Sequence, residues 1–368
     1  MSEHKPKLPL RMLSLDGGGI RGYSELLMLE AIMERIKEQK GMETTPLPCS
    51  YFDVIGGTST GGIIALMLGP LKMSVADALK VYENLGKAVF DKSVLRFLKQ
   101  KALHDSEELE KMIKSTITQN HQKADVMLHD PEVVSGQGRP YTLSEEDDQT
   151  QTFLKESHAV PQRPPLEDGT PSEREPEVHP PANCQVWQAA RATSAAPGYF
   201  KPMTIRTPEK EFKFLDGGLN YNNPAFQLLG ERRKLIQEAS RTDDQDPDHS
   251  ATHLPHEICF ISLGAGGEDR VKLRWYHLLS LPLISSYLGI NVILCKIATD
   301  TEKAHESFKN LHDPGEFNYF RFNVKKGLEG VALGHWWKLS NIRNKTRAYL
   351  AEHEAKINEA AEVLVRLS

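Results

Sequence analysis

Cysteine is scarce, with four residues in a chain of 368, at Cys49, Cys184, Cys259 and Cys295. They lie far apart and fit no CxxC metal pattern, so they read as reduced thiols packed like small apolar side chains in a cytosolic protein. The 14 histidines show no ligand spacing and HExxH is absent, which predicts no catalytic metal. No run reaches the roughly 18 to 20 uncharged apolar residues that span a bilayer. The opening MSEHKPKLPLRML lacks the apolar core of a signal peptide. The net charge is −5, with no basic footprint, which argues against a nucleic-acid partner. No internal repeat is present. What remains is ordinary for a globular chain: 39% hydrophobic and 26% charged residues.

The chain alternates strands and helices. LRMLSL (10–15) reads as a short buried strand, followed by the glycine run DGGGIRG. In the next segment Leu26, Leu29, Met33 and Ile36 recur at helical spacing, and Gly41 is a natural stop. Residues 51–68 repeat the logic, with YFDVIG as strand, GTSTGG as turn and IIALML as helix. Residues 74–120 read as helical, FKFLDGG (212–218) and EICFISLGAGG (257–267) as strands ending in turns, 316–324 as a late strand and 337–367 as a closing helix. This pattern predicts an α/β fold with a mainly parallel sheet. Residues 141–182 differ, with 10 acidic residues, 3 basic ones and 7 prolines. They are expected to form a loop or disordered insertion.

Gly57-Thr58-Ser59-Thr60-Gly61 fits GxSxG, a strained strand-to-helix turn that projects a serine hydroxyl. Glycine neighbours remove the Cβ clashes such a turn creates. The Thr60 amide and the helix start favour negative charge, as a tetrahedral oxyanion would need. The same five residues also fit a plain glycine turn with Ser59 as a cap. Asp16-Gly17-Gly18-Gly19-Ile20-Arg21-Gly22 presents bare backbone N–H groups at a second helix start. It has no GKS or GKT, and it matches GxGxxG by glycine position alone, so an oxyanion hole suits it better than a phosphate cradle. Asp216-Gly217-Gly218 ends a third strand, either as an Asx turn or as a carboxylate on the same sheet edge as Ser59.

Together DGGGIRG (16–22), GTSTGG (57–62) and DGG (216–218), in this order, resemble the patatin-like phospholipase family. ARATSAAPGYF (190–200) and FLDGGLNYNNPA (214–225) resemble it too, especially its fungal-type members. The resemblance spans about residues 8 to 350. It implies a three-layer α/β/α sandwich with a mainly parallel central sheet, one domain over residues 1–368. It also implies a cofactor-free serine lipid acyl hydrolase of the phospholipase A type. Such an enzyme cleaves phospholipid or other glycerolipid esters in the cytoplasm, in transient contact with membrane surfaces. By carry-over Ser59 is the nucleophile and Asp216 the base of a dyad. Gly17, Gly18 and Gly19 build the oxyanion hole, through the amides of Gly18 and Gly19. Arg21 stands beside it, to hold the turn or to meet an anion or phosphate. A free aspartate is a weak base, so the dyad requires burial to raise the Asp216 pKa and a short Ser–Asp hydrogen bond.

One departure from the family pattern is that residues 122–183 offer only ADVMLH (124–129) where an apolar strand is expected before the ARATS segment. Competing readings are a Ser-His-Asp triad using His256, His277, His305, His312 or His335, and a lipid-binding or signalling module with little turnover. Residues 271–295 and the basic-apolar patch at 92–101 are candidates for lipid contact, although core and ordinary amphipathic helix fit them as well. Fungal-type relatives carry this domain ahead of others, so the chain is read as either a complete small protein or the N-terminal module of a longer one.

Overall fold

Every residue of Leu10–Leu15 (β1) is buried. That is the expectation for an interior strand of a parallel sheet covered on both faces. The computed structural model describes residues 9–89, 105–121, 123–128, 159–161, 184–206, 211–219, 221–230, 257–266, 301–309, 317–328 and 330–368. After β1 come α1 (Gly22–Lys40), β2 (Val54–Gly57), α2 (Thr60–Leu68), α3 (Val75–Val89) and α4 (Ser106–His121). Then follow β3 (Ala159–Pro161), α5 (Val186–Thr193), β4 (Met203–Arg206) and β5 (Glu211–Asp216). The chain continues with β6 (Ile258–Gly264), α6 (Thr301–Lys309), β7 (Phe317–Asn323), α7 (Leu339–Glu352) and α8 (Glu354–Arg366).

The central sheet has the order β2-β1-β6-β7, and its three pairings are all parallel. Strand alternation divides its side chains between two cores. Leu13, Leu15, Ile261, Leu263, Phe320 and Phe322 pack with the apolar faces of α1, α2, α3 and α8. Leu10, Met12, Ile258 and Phe260 face the other way, onto Phe308 of α6 and onto Leu228 and Leu229 of a helical segment at 225–230. Helices on both faces of a mainly parallel sheet make the three-layer α/β/α sandwich expected from the sequence. In α1 the anticipated Leu26, Leu29, Met33 and Ile36 are all fully buried. Gly41 ends the helix in the left-handed conformation, at φ 61°.

Register places the functional turns. Leu15, the last residue of β1, lies opposite Gly57 of β2 and Leu263 of β6. The glycine run after β1 and the serine turn after β2 therefore emerge side by side at the carboxyl edge, where open α/β sheets present their sites.

Three features differ from the sequence reading. β5 is not in the central sheet but in an antiparallel one of order β3-β5-β4. Its outer strand β3 comes from inside the acidic stretch expected to be loop, and pairs Ala159 with Asp216. Second, ADVMLH contributes only an isolated bridge, Met127 with Gln185, rather than a strand. Third, the closing helix is two helices, broken at His353 without proline or glycine. There the ring stacks on Tyr349 at 4.0 Å and Nδ1 pairs with the Tyr349 carbonyl at 2.8 Å. No helix among the described residues is long and apolar enough to cross a membrane. The stretches 92–101 and 271–295 lie outside the described residues, as does Cys295; Cys184 and Cys259 are buried in the first core.

Candidate active site

Ser59 joins β2 to α2 at φ 55° and ψ −123°, a region sparsely populated by residues with a side chain. The surroundings over-determine this conformation. The Ser59 N–H donates to Thr193 Oγ1 at 3.0 Å. Thr58 before it donates its N–H to the Leu15 carbonyl at 3.1 Å and its hydroxyl to the Tyr221 carbonyl at 2.7 Å. The crossing is tight: a Cβ at Gly57 would overlap the Gly61 carbonyl, and one at Gly61 would lie 2.5 Å from the Leu15 carbonyl oxygen. Glycine is required there by space.

Asp216 is the last residue of β5 and is 4% exposed. Ser59 Oγ donates to Asp216 Oδ2 at 2.7 Å. The other carboxylate oxygen accepts the Gly218 N–H at 2.8 Å, which is the Asx turn of DGG. Burial pushes the Asp216 pKa up to about 7, against the lowering effect of the Ser59 and Gly218 hydrogen bonds. The Asp216 N–H donates to the Ala195 carbonyl. Serine and aspartate thus both hang from residues 193–195, at the end of α5.

The glycine turn runs past the same pair. Gly17, Gly18 and Gly19 line one cleft with Ser59, Asp216 and Asn222. Ala196, Pro197, Leu219 and Leu333 give the cleft its apolar wall. The Gly18 N–H reaches the Thr60 hydroxyl at 3.3 Å, a long bond that a charged oxygen would displace. Tyr82, fully buried on α3, donates its hydroxyl to the Gly19 carbonyl. At the root of the turn Asp16, with no exposed surface, receives the Arg321 guanidinium fork at 3.0 and 2.5 Å. Burial opposes the Arg321 charge, but the facing Asp16 carboxylate overcomes it and holds the guanidinium pKa above its ordinary value. Among the described residues no group of three or more His, Cys, Asp or Glu side chains is arranged to hold a metal ion.

A family model described as Patatin-like phospholipase matches residues 13–229, which include the glycine turn, the serine elbow and the DGG turn. The chain belongs to the patatin-like phospholipase family. It is 27% identical over 374 residues to the calcium-independent phospholipase A2-gamma of Oryctolagus cuniculus, covering 96% of this chain and 40% of that protein. It is 26% identical over 385 residues to phospholipase A I of Arabidopsis thaliana, covering 91% and 26%. With a cGAMP-activated phospholipase of Vibrio cholerae it shares 33% identity over 239 residues, covering 61% and 58%. The chain spans about 40% of the length of the calcium-independent phospholipases it matches.

In this patatin-like site Ser59, Asp216, Gly17, Gly18 and Gly19 meet at one cleft, with Thr60 directly behind the serine. Arg21 closes the short 3₁₀ turn that follows Gly18. It is 5% exposed, does not line the cleft, and turns its Nε to the Gly18 carbonyl at 3.3 Å. Sequence reasoning did not single out Asn222, Thr193, Tyr82 or Arg321. Asn222 and Asn223 look alike in LNYNNPA, yet only Asn223 caps a helix, accepting the Ala225 N–H at 3.0 Å. The proline after Asn223 is the signal that could have told them apart.

Proposed function

We propose that the protein is a serine lipid acyl hydrolase that releases ester-linked fatty acids from phospholipids or other glycerolipids. The observation that carries this reading is the direct 2.7 Å hydrogen bond from Ser59 Oγ to Asp216 Oδ2, inside a cleft lined by Gly17, Gly18 and Gly19. Ser59 Oγ attacks the ester carbonyl as its proton passes to Asp216, so no free alkoxide forms. The carbonyl oxygen becomes an oxyanion facing the Gly18 and Gly19 amides and the start of α2 at Thr60. Collapse expels the alcohol, which takes the proton from Asp216, and leaves an acyl-Ser59. Water then gives its proton to Asp216 and attacks the acyl carbon, and the proton returns to Ser59 as the fatty acid departs.

Among the described residues, the partners of the two candidate histidines support a dyad rather than a triad. His305 pairs through Nδ1 with the Tyr319 hydroxyl, and the Nδ1 of His335 accepts the Ala332 N–H. The candidates His256, His277 and His312 lie outside the described residues. Asp216 already bonds the serine with no imidazole between. The test is fatty-acid release from mixed phospholipid vesicles by the wild-type chain. Release that disappears in Ser59→Ala supports the reading, and release that persists there overturns it.

The raised pKa sets the pH dependence. Asp216 accepts the serine proton only when ionised, so kcat/KM on a soluble ester should fall about tenfold per pH unit below a midpoint near pH 7. A midpoint near 4 would mean a solvated carboxylate, against the burial seen here.

A lipid substrate is supported by what surrounds the cleft. Among the described residues four large hydrophobics are exposed: Met42, Leu47, Tyr221 and Trp337. Tyr221 adjoins the cleft-lining Asn222, and Trp337 lies four residues beyond the cleft-lining Leu333. Tyr and Trp favour an apolar–aqueous boundary, which is what a lipid aggregate offers. Trp337→Ala is expected to slow hydrolysis of vesicles about tenfold, equivalent to losing ~1.4 kcal/mol of interfacial contact. It should leave a monomeric short-chain ester within about twofold. Equal losses on both substrates would remove this residue from any role at the lipid surface.

A further inference from the structure

A trans peptide is planar, so a carbonyl and the N–H of the next residue point in opposite directions. Whatever fixes one carbonyl therefore aims the following amide. In the glycine turn the Gly17 carbonyl accepts Asn222 Nδ2 at 3.0 Å, and the Gly17 N–H donates to the Asn222 backbone carbonyl at 2.9 Å. Asn222 grips Gly17 at both ends. The next carbonyl, on Gly18, accepts the Arg21 N–H at 3.2 Å and Arg21 Nε at 3.3 Å. The Gly18 amide is thus aimed by Asn222 and the Gly19 amide by Arg21.

Asn222 also approaches the turn that holds the base. Its Oδ1 would lie 2.9 Å from a Cβ at Gly218, the residue whose N–H holds Asp216, and would overlap a Cβ at Gly17. The two glycines leave room for this one amide. The preceding residue, Tyr221, accepts the Thr58 hydroxyl at 2.7 Å on its carbonyl, so two consecutive residues grip both the serine turn and the glycine turn. Asn222 is 6% exposed and lines the cleft.

We propose that Asn222 is a positioning residue that aims the Gly18 amide at the developing oxyanion and ties the oxyanion turn to the Asp216 turn. The role needs an amide. An ionised aspartate has no donor for the Gly17 carbonyl and would set a second negative charge beside Asp216. The inference rests on the hydrolase reading for its kinetics, but not for its geometry.

The test compares Asn222→Ala, Asn222→Asp and Gly17→Ala in the full chain, on a soluble ester. Asn222→Ala should lower kcat about 100-fold with KM within about threefold, the pattern of a lost transition-state contact. Its pH midpoint should stay near that of the wild type, because the base is untouched. Asn222→Asp should lose more and move the midpoint upward, a shift that a merely structural defect does not produce. Gly17→Ala displaces the same side chain from the other side. Combined with Asn222→Ala it should cost no more than either change alone. Amide exchange at Gly18, read by mass spectrometry, should quicken in Asn222→Ala while exchange in α8 is unchanged. A kcat within threefold of wild type, additive losses, or unchanged Gly18 exchange would each overturn the proposal. If the wild type shows no Ser59-dependent turnover, the hydrolase reading fails and the exchange result still decides the aiming of Gly18.

Discussion

Ser59→Ala and Asp216→Asn are each expected to reduce fatty-acid release by about 10⁵- to 10⁶-fold, the scale seen when a hydrolase loses its nucleophile or its only base. The two losses should be nearly equal and should not add, since one proton transfer needs both groups. The oxyanion turn is untouched in either variant, so a small residual rate above water is expected to survive. The two variants should part company in stability. Folded Asp216 holds its proton to about pH 7, whereas the unfolded chain releases it near the ordinary 3.8. Between those values the folded state binds more protons, so this residue makes the protein less stable as pH rises. Asparagine carries no such penalty. Asp216→Asn should therefore come closest to the wild type at about pH 4 and exceed it at pH 8 by roughly 4 kcal/mol, an order-of-magnitude figure from the size of the shift. Calorimetry at both pH values checks this. Equal melting temperatures throughout would mean that burial of the carboxylate carries no cost, and the basis for its action as a base would be lost.

The second large effect lies beneath the glycine turn. Arg321→Ala should destabilise the fold by about 3–5 kcal/mol, because it leaves Asp16 buried without its partner. Arg321 also reaches Ser262 Oγ at 2.8 Å, Thr301 Oγ1 at 3.2 Å and Glu302 at 3.2 Å, so one substitution orphans several groups. A melting temperature lower by roughly 5–15 °C is the expected reading. Replacing both ends together, Asp16→Asn with Arg321→Met, should recover most of the loss, because the desolvation cost of the pair disappears with its attraction. A double variant no better than Arg321→Ala would mean that the pair specifies the shape of the turn rather than simply balancing charge.

The three motifs could be read from the sequence because each is a local solution to a local problem. A strand, a turn without Cβ atoms and a helix start follow one another within a few residues at DGGGIRG and GTSTGG, and the structure forms both at neighbouring strand ends. The Asp216 strand was legible as a strand but not as a member of a second sheet. Its partner β3 is three residues inside an acidic, proline-rich stretch whose composition argues for loop. The Asp16–Arg321 pair joins residues 305 apart in the chain. No periodicity or spacing connects them, and an arginine within EFNYFRFNV reads as a surface residue until residues 320–323 are seen to be buried. The position of Arg21 in the glycine turn is legible in the sequence, but its direction depends on a 3₁₀ turn that folds the side chain back onto the Gly18 carbonyl. The break at His353 has no marker of its own, since neither proline nor glycine stands there.

Residues 193–195 have a consequence for how finely the chemistry is set. Ser59 stands on the parallel sheet and Asp216 on the antiparallel one, so the hydrogen bond between them spans two separate pieces of framework. Yet the amide of the first is pinned to Thr193 and the amide of the second to Ala195. Two residues of chain reach at most about 7 Å. That short strut acts as a gauge block, fixing the spacing of donor and acceptor whatever small slippage the two sheets undergo.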